Sequence, residues 1–423
     1  MSTLVRIFVA LLVYCGVLLT TAFSTLEAAE LFVADRVTNR VLSFDESTGD
    51  FLRVVTATGL DVPSAMAFGP GGFLYVSNFQ GGFGGAASVV KVDPETGATT
   101  DFIFDVTAPG GIGYHAASDT LFVSEFIEIA LVEGVPTQLP GNEVFRYDSG
   151  GTRLQTLGTD SANTGRAGIA FDAADNLYVS EFNQTGISSV LKYDAPMGSP
   201  TDDFASTGST FASGGDVTLQ IPAPAAGFNG LTFDSNGDLF VASLIGQSVI
   251  KYSVAGEIVT SGAPFGAPLP YPSGLLVGAD GSLIVTNLGN DNTGDPFWGP
   301  TTFPGELTRY NGITSTPLLV GDNDRDDVVD AADLEIFQSS YANESYGDQD
   351  GDLDTDGNDF LLWQRAVGNQ GIVGSFQPTA IVRYTPPAST FTVPEPTSLL
   401  LLLLGTATVG FVRQHNRKAF MIE

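Results

Sequence analysis

Ten aspartates in the last quarter of the chain stand at intervals that suit a hard cation. Asp322, Asp324, Asp326, Asp330 and Asp333 occupy positions 1, 3, 5, 9 and 12 of a 12-residue loop, and Asp348, Asp350, Asp352, Asp356 and Asp359 repeat the spacing. Oxygen ligands at these intervals, with position-7 backbone carbonyls from Val328 and Asp354, wrap a Ca2+ ion. Each loop runs into an apolar segment whose pattern predicts a helix, Leu334 to Tyr341 and Phe360 to Val367. From Asp322 to Asp359 there are 14 acidic residues and one base, Arg325, yet a solvated acidic linker would not repeat at ligand spacing ahead of apolar helices. The expectation is about two Ca2+ ions, and a dissociation constant on the order of 10⁻⁴ to 10⁻³ M or tighter suffices outside the cell.

The paired loops resemble a dockerin type I module, in which two calcium loops each lead into a helix. Position 12 is Asp, as in dockerins, where EF-hands use Glu. Position 6 departs from the usual Gly, being Asp327 and Leu353, which costs turn geometry. Positions 10 and 11, Ala331-Ala332 and Gly357-Asn358, do not match the Ser/Thr pairs that face a cohesin in cellulosomal types. The resemblance implies a cohesin-like protein as one candidate partner.

Composition narrows the rest. The chain has 423 residues, 17 Lys+Arg against 48 Asp+Glu and a formal net charge of -31, so it offers no basic surface to a nucleic acid. Charged residues make up 15%, hydrophobic ones 43%, and Gly numbers 50, a mix that fits many short strands joined by tight turns. The single cysteine, Cys15, rules out a disulfide scaffold and Cys-ligated metal.

A repeated unit fills the middle. Leu31-Phe-Val-Ala-Asp35, Leu74-Tyr-Val-Ser-Asn78, Leu121-Phe-Val-Ser-Glu125, Leu177-Tyr-Val-Ser-Glu181, Leu239-Phe-Val-Ala-Ser243 and Leu283-Ile-Val-Thr-Asn287 recur at spacings of 43, 47, 56, 62 and 44 residues. Four short antiparallel strands per repeat of this length make a propeller blade, so the expected fold is all-β, a six-bladed β-propeller with a small α-helical module. The unit resembles NHL-type repeats and the six-bladed propellers of the gluconolactonase and strictosidine synthase-like group. The first copy lacks its opening strand, and Ala380-Ile-Val-Arg-Tyr384 is the candidate to close the ring.

Turns between first and second strands are tight, whereas those after the second strand are swollen: Phe79 to Ala87, Ile127 to Asn142 and Gly289 to Gly305. The long connection Ser199 to Gly227 opens on that same face, which is where a ligand site would be built. Asp35, Asn78, Glu125, Glu181, Ser243 and Asn287 stand at equivalent positions there, as an oxygen ring for a further divalent cation or as ties for the adjacent turns. Glu125 and Glu181 are the catalytic candidates; Asn78, Asn287, Phe297 and Trp298 are ligand-face candidates, the aromatic pair through stacking on a sugar. His115 falls in a tight turn on the other face, and no nucleophile triad, HExxH or phosphate-cradling motif is present.

The two ends are addresses. Arg6 precedes an apolar run from Ile7 to Leu19 and small residues at Ala28 and Ala29, as in a secretory signal peptide. Val393-Pro394-Glu395-Pro396, an apolar stretch from Leu399 to Val412, and Arg413, His415, Arg417 and Lys418 resemble the PEP-CTERM sorting signal. That resemblance implies an exosortase-type protease as partner, a transient membrane anchor, and release to the envelope or the outside. The expected order is signal peptide 1–29, propeller 30–321, dockerin-like module 322–370, linker or propeller-closing strand 371–392, and sorting signal with membrane segment 393–418.

Together these features suggest a secreted calcium-binding scaffold attached to a cohesin-like protein or an extracellular polysaccharide. The alternative is a metal-dependent propeller enzyme, a lactonase, lyase or polysaccharide-acting hydrolase.

Overall fold

The six apolar repeats are the second strands of six small antiparallel sheets, set round a ring as the blades of a β-propeller. The computed structural model describes residues 29–79, 87–132, 135–158, 164–183, 188–213, 228–244, 246–259, 269, 271–289, 305–311, 314–317, 329–340, 360–361, 363–364 and 377–386. They fall almost wholly in one compact unit, Ala28–Tyr384; the other takes in Met1–Glu27 and Thr385–Glu423. Among the described residues no helix is long and apolar enough to cross a membrane.

The first blade joins both ends of this unit: β1 (Glu30–Asp35), β2 (Arg40–Asp45) and β3 (Phe51–Thr56) are completed on the inner side by β25 (Pro378–Tyr384). β25 pairs antiparallel with β1, Tyr384 opposite Glu30 and Ala380 opposite Ala34. The second blade is β4 (Pro63–Phe68), β5 (Leu74–Asn78), β6 (Ser88–Val92) and β7 (Thr99–Ile103). The third is β8 (Pro109–His115), β9 (Thr120–Glu125), β12 (Val144–Tyr147) and β13 (Arg153–Leu157), carrying the hairpin β10 (Ile127–Val132) and β11 (Val135–Pro140). The fourth is β14 (Thr164–Phe171), β15 (Leu177–Asn183), β16 (Ser189–Tyr193) and β17 (Ser209–Ser213). The fifth shows β18 (Phe228–Phe233), β19 (Leu239–Ser243) and β20 (Ser248–Tyr252), and the sixth β21 (Pro272–Val277), β22 (Leu283–Asn287), β23 (Glu306–Asn311) and β24 (Thr314–Pro317). The innermost strands β25, β4, β8, β14, β18 and β21 touch in that order and back to β25.

Two stretches expected as loops contain strands. The segment from Ile127 to Asn142 folds into the β10–β11 hairpin, and the connection from Ser199 to Gly227 includes β17, the outer strand of its blade.

The core lies between blades, which explains why second strands are apolar on both faces. Side chains alternate across a strand. Phe32 and Ala34 therefore pack with Met66, Leu74 and Val76 of the second blade, while Leu31 and Val33 pack with Ile284 and Leu307 of the sixth. Near the axis the inner strands approach too closely for a side chain: a Cβ at Gly168 would overlap the carbonyl oxygen of Asn229, and one at Gly230 that of Ser273.

Candidate functional site

Each inner strand carries a register shift close to the level where the second strand ends. A ladder broken in this way leaves backbone groups to be satisfied. Second-strand hydroxyls do so: Ser77 accepts the N–H of Ala65, Ser180 that of Gly168, and Thr286 that of Gly274, at 2.9, 2.7 and 2.7 Å. Ser124 and Ser180 also donate across to the next blade, to the carbonyls of Ala167 and Asn229 at 2.5 and 2.6 Å.

One residue further along stands the ring of Asp35, Asn78, Glu125, Glu181, Ser243 and Asn287. Three members tie down the chain entering the inner strand. Asp35 Oδ1 accepts the N–H groups of Val37 and Gln377, Asn78 Oδ1 that of Asp61, and Glu125 Oε1 that of Thr107. Asn78 Nδ2 adds bonds to the Gly59 carbonyl and Ser88 Oγ. These contacts match the turn-tying reading of the ring. Asn287 Nδ2 donates to Thr308 at 2.8 Å, while its buried Oδ1 has no hydrogen-bond partner among the described residues.

Glu181 behaves differently. Its Oε1 pairs with Nη1 of Arg166 and its Oε2 accepts Ser189 Oγ, all three side chains being buried. Arg166 is directly opposite Glu181 in the β14–β15 ladder. The residues at that place in the other blades are Pro63, Pro109, Phe228, Pro272 and Pro378. Arg166 breaks the repeat at this place, but the register shift between Arg166 and Ile169 puts it out of phase with the second-strand motif Leu177–Glu181 that reveals the blade. Its backbone N–H donates to the carbonyl of Gly141, and a Cβ on Gly141 would press against Glu125. Glu125 and Arg166 thus flank one glycine at the base of the β10–β11 hairpin.

Among the described residues no group of three or more His, Cys, Asp or Glu could hold a metal ion. His115 is buried at the end of β8 with Phe122, Phe171 and Phe204 around it and Ser118 Oγ 2.6 Å from its Nδ1. Burial holds its pKa below the usual imidazole range, with Asp175 opposing and Arg146 reinforcing that shift. Phe297 and Trp298 lie outside the described residues.

Of the calcium-loop residues, Asp330 and Asp333 are described; Asp322, Asp324, Asp326, Val328, Asp348, Asp350, Asp352, Asp354, Asp356 and Asp359 lie outside. Asp333 is buried in the first turn of α1 (Ala331–Ser340), and its Oδ2 accepts the N–H of Asp330 at 2.7 Å. Helical residues 360, 361, 363 and 364 follow the second loop. Trp363 Nε1 donates to the Asp330 carbonyl at 3.2 Å, Val329 packs on Trp363, and the Phe337 and Phe360 rings lie 5.7 Å apart. The segments following the two loops therefore pack together through aromatic residues.

Comparison with known proteins places a PEP-CTERM protein-sorting motif at residues 392–418. This motif marks exported proteins sorted at the C-terminus to the cell envelope or extracellular space, and implies recognition by an exosortase-type system. No curated protein sequence matches the chain. Among solved structures, a nidogen/laminin complex aligns at 16% identity over 62% of this chain and 86% of the other, with a TM-score of 0.46. A catalytically inactive virginiamycin B lyase from Staphylococcus aureus, solved with quinupristin, aligns at 15% over 68% and 80%, TM-score 0.44. A gluconolactonase of Xanthomonas campestris aligns at 16% over 62% and 84%, TM-score 0.41. Likenesses this distant add nothing on activity.

Proposed function

We propose that the chain is an exported, envelope-sorted calcium-binding protein in which the propeller presents a binding face and the dockerin-like module mediates attachment or assembly. The observation that carries the reading is the pairing of two ligand-spaced aspartate loops with mutually packed helical segments. Asp333, at position 12 of the first loop, is buried beside Asp330, and the indole of Trp363 reaches back to Asp330. Helical segments that pack together behind two ligand-spaced stretches of sequence suit a module folded by its metal. Equilibrium dialysis of the full chain against saturating calcium should find about two bound calcium ions, one per loop, in excess of the dialysate. Asp322→Asn and Asp348→Asn should each remove about one, and full retention in both variants would refute the assignment.

A second reading, a propeller lactonase, lyase or hydrolase with a bound metal, is favoured by the juxtaposition of Glu125 and Arg166–Glu181 around Gly141. The described hydrogen bonds weigh against it, since Glu125 is engaged by Thr107 and Glu181 by Arg166 and Ser189. The Glu125→Gln/Glu181→Gln double variant separates the two: an enzyme would lose its propeller metal and turnover, whereas a binding scaffold would keep its calcium content unchanged.

A further inference from the structure

Among the described residues two arginines, Arg146 and Arg166, are completely buried, and the fold treats them in opposite ways. Arg146 engages all three of its nitrogens: Nε donates to Thr120 Oγ1, Nη1 to the Asp202 carbonyl and Nη2 to the Pro200 carbonyl, at 3.2, 2.8 and 3.1 Å. Its plane also lies near Phe122 and Phe204. Arg166 spends Nη1 on Glu181, while its buried Nε and Nη2 have no acceptor among the described residues. Nε and Nη2 lie along one edge of the guanidinium and form the fork that takes both oxygens of a planar acid.

We propose that Arg166 is a ligand-binding residue, and that its Nε/Nη2 fork receives the carboxylate of a small acidic ligand entering at the loop-rich end of the ring. Three observations carry this. Arg166 replaces the proline or phenylalanine that the other five blades use at this place, so the blade itself does not require it. Glu181, itself oriented by the Ser189 hydroxyl, holds Nη1 on the opposite side, which fixes the orientation of the fork. Buried polar groups in folded proteins are almost always paired, so a donor pair open among the described residues is a place for an acceptor, which we assign to a ligand.

Charge narrows the ligand class. A chain with a net charge of -31 repels polyanions, which favours a single carboxylate such as an acidic sugar at the end of a glycan over a polyuronate. The assignment rests on the proposed binding role of the propeller face and names the ligand class for it.

The test is calorimetric titration of the full exported chain with glucuronate and galacturonate, with glucose, galactose, sulfate and phosphate as controls. The acidic sugars should bind in preference to all controls. Arg166→Lys, which keeps the charge and loses the fork, should weaken binding about tenfold or more. Arg166→Phe/Glu181→Ser recreates the Phe228–Ser243 pair of the next blade; it should retain a cooperative thermal transition and lose the binding altogether. Equal affinity for sulfate or phosphate, or wild-type affinity in Arg166→Lys, would overturn the carboxylate assignment. Binding of neutral sugars alone would overturn it while leaving the scaffold reading intact, and absence of all sugar binding alongside a normal calcium content would remove both the assignment and a glycan-binding face.

Discussion

Arg383 grips Glu46 through two of its nitrogens, Nε at 2.6 Å from Oε2 and Nη2 on Oε1, across 337 residues of sequence. The same carboxylate accepts the N–H of Ala279 at 2.9 Å, and Arg383 Nη2 also reaches the Val277 carbonyl at 3.1 Å. The Glu46 carbonyl in turn accepts Arg309. One acidic residue beyond β2 therefore binds the ring-closing strand β25 to the first turn of the sixth blade. Apolar packing holds blades together everywhere; at the seam a bidentate ion pair is added to it.

Removing this clamp should open the ring at its seam before the blades unfold. Glu46→Ala is expected to cost about 2 kcal/mol, the scale of hydrogen bonds to a charged group. Urea unfolding followed by hydrogen exchange checks it. Early exchange confined to β1 and β25 supports the seam, and uniform exchange across all blades would contradict it.

Inner-strand packing gives a second expectation. Because a Cβ at Gly230 meets the Ser273 carbonyl, Gly230→Ala forces two inner strands apart. The expected loss is about 1–3 kcal/mol, as for other overpacked sites. A surface change such as Gly72→Ala, where a Cβ would find open space but φ is +75°, should cost less, mainly through backbone strain, and the two denaturation midpoints can be compared directly.

Stability should fall in acid through the turn aspartates. Burial alone would raise Asp45, Asp234 and Asp280, but hydrogen bonds outweigh it: Ser47 and Thr48 at the first, Lys251 with the Asp238 and Asn236 N–H groups at the second, Ser282 at the third. All three pKa values end below the ordinary carboxylate value. A depressed folded pKa contributes stability that is present above the unfolded value of about 4 and lost as pH falls through the folded one. Denaturation midpoints measured from about pH 6 down to about pH 3 should therefore decline steeply below pH 4, and Asp234→Asn should flatten that decline. Lys251 has the opposite sign. Burial lowers it, Asp234 and Asp238 more than restore it, and its raised pKa gives stability that disappears only as pH climbs above about 10.4.

The sequence was most legible where both faces of a strand are buried. Leu31 to Ala34 or Leu121 to Val123 have no exposed surface, so they can hardly be anything but apolar, and the ring period is visible from them alone. Tyr384 and Ile381 marked the closing strand for the same reason. Outer strands were harder to read: β17 (STFAS) and β13 (RLQTL) face solvent along much of their length, and the apolar period fades there. Within the ring, the turn-tying roles of Asp35 and Asn78 could be anticipated from residue type. The engagement of Glu181 by Arg166 could not, because the register shift between Arg166 and Ile169 puts the arginine out of phase with the motif that reveals the blade. The Glu46–Arg383 clamp left no trace as a pair: the closing-strand pattern around Arg383 says nothing of its partner, and Glu46 lies beyond β2 with no repeat to mark it.

The measurement that bears most directly on the central claim is calcium titration of the full exported chain by calorimetry, read in parallel with far-ultraviolet circular dichroism. Two binding events accompanied by a gain of helix, both abolished in Asp322→Asn/Asp348→Asn, are the outcome a metal-folded module predicts. No heat and no change in helix on adding calcium to the chelator-stripped protein would contradict it.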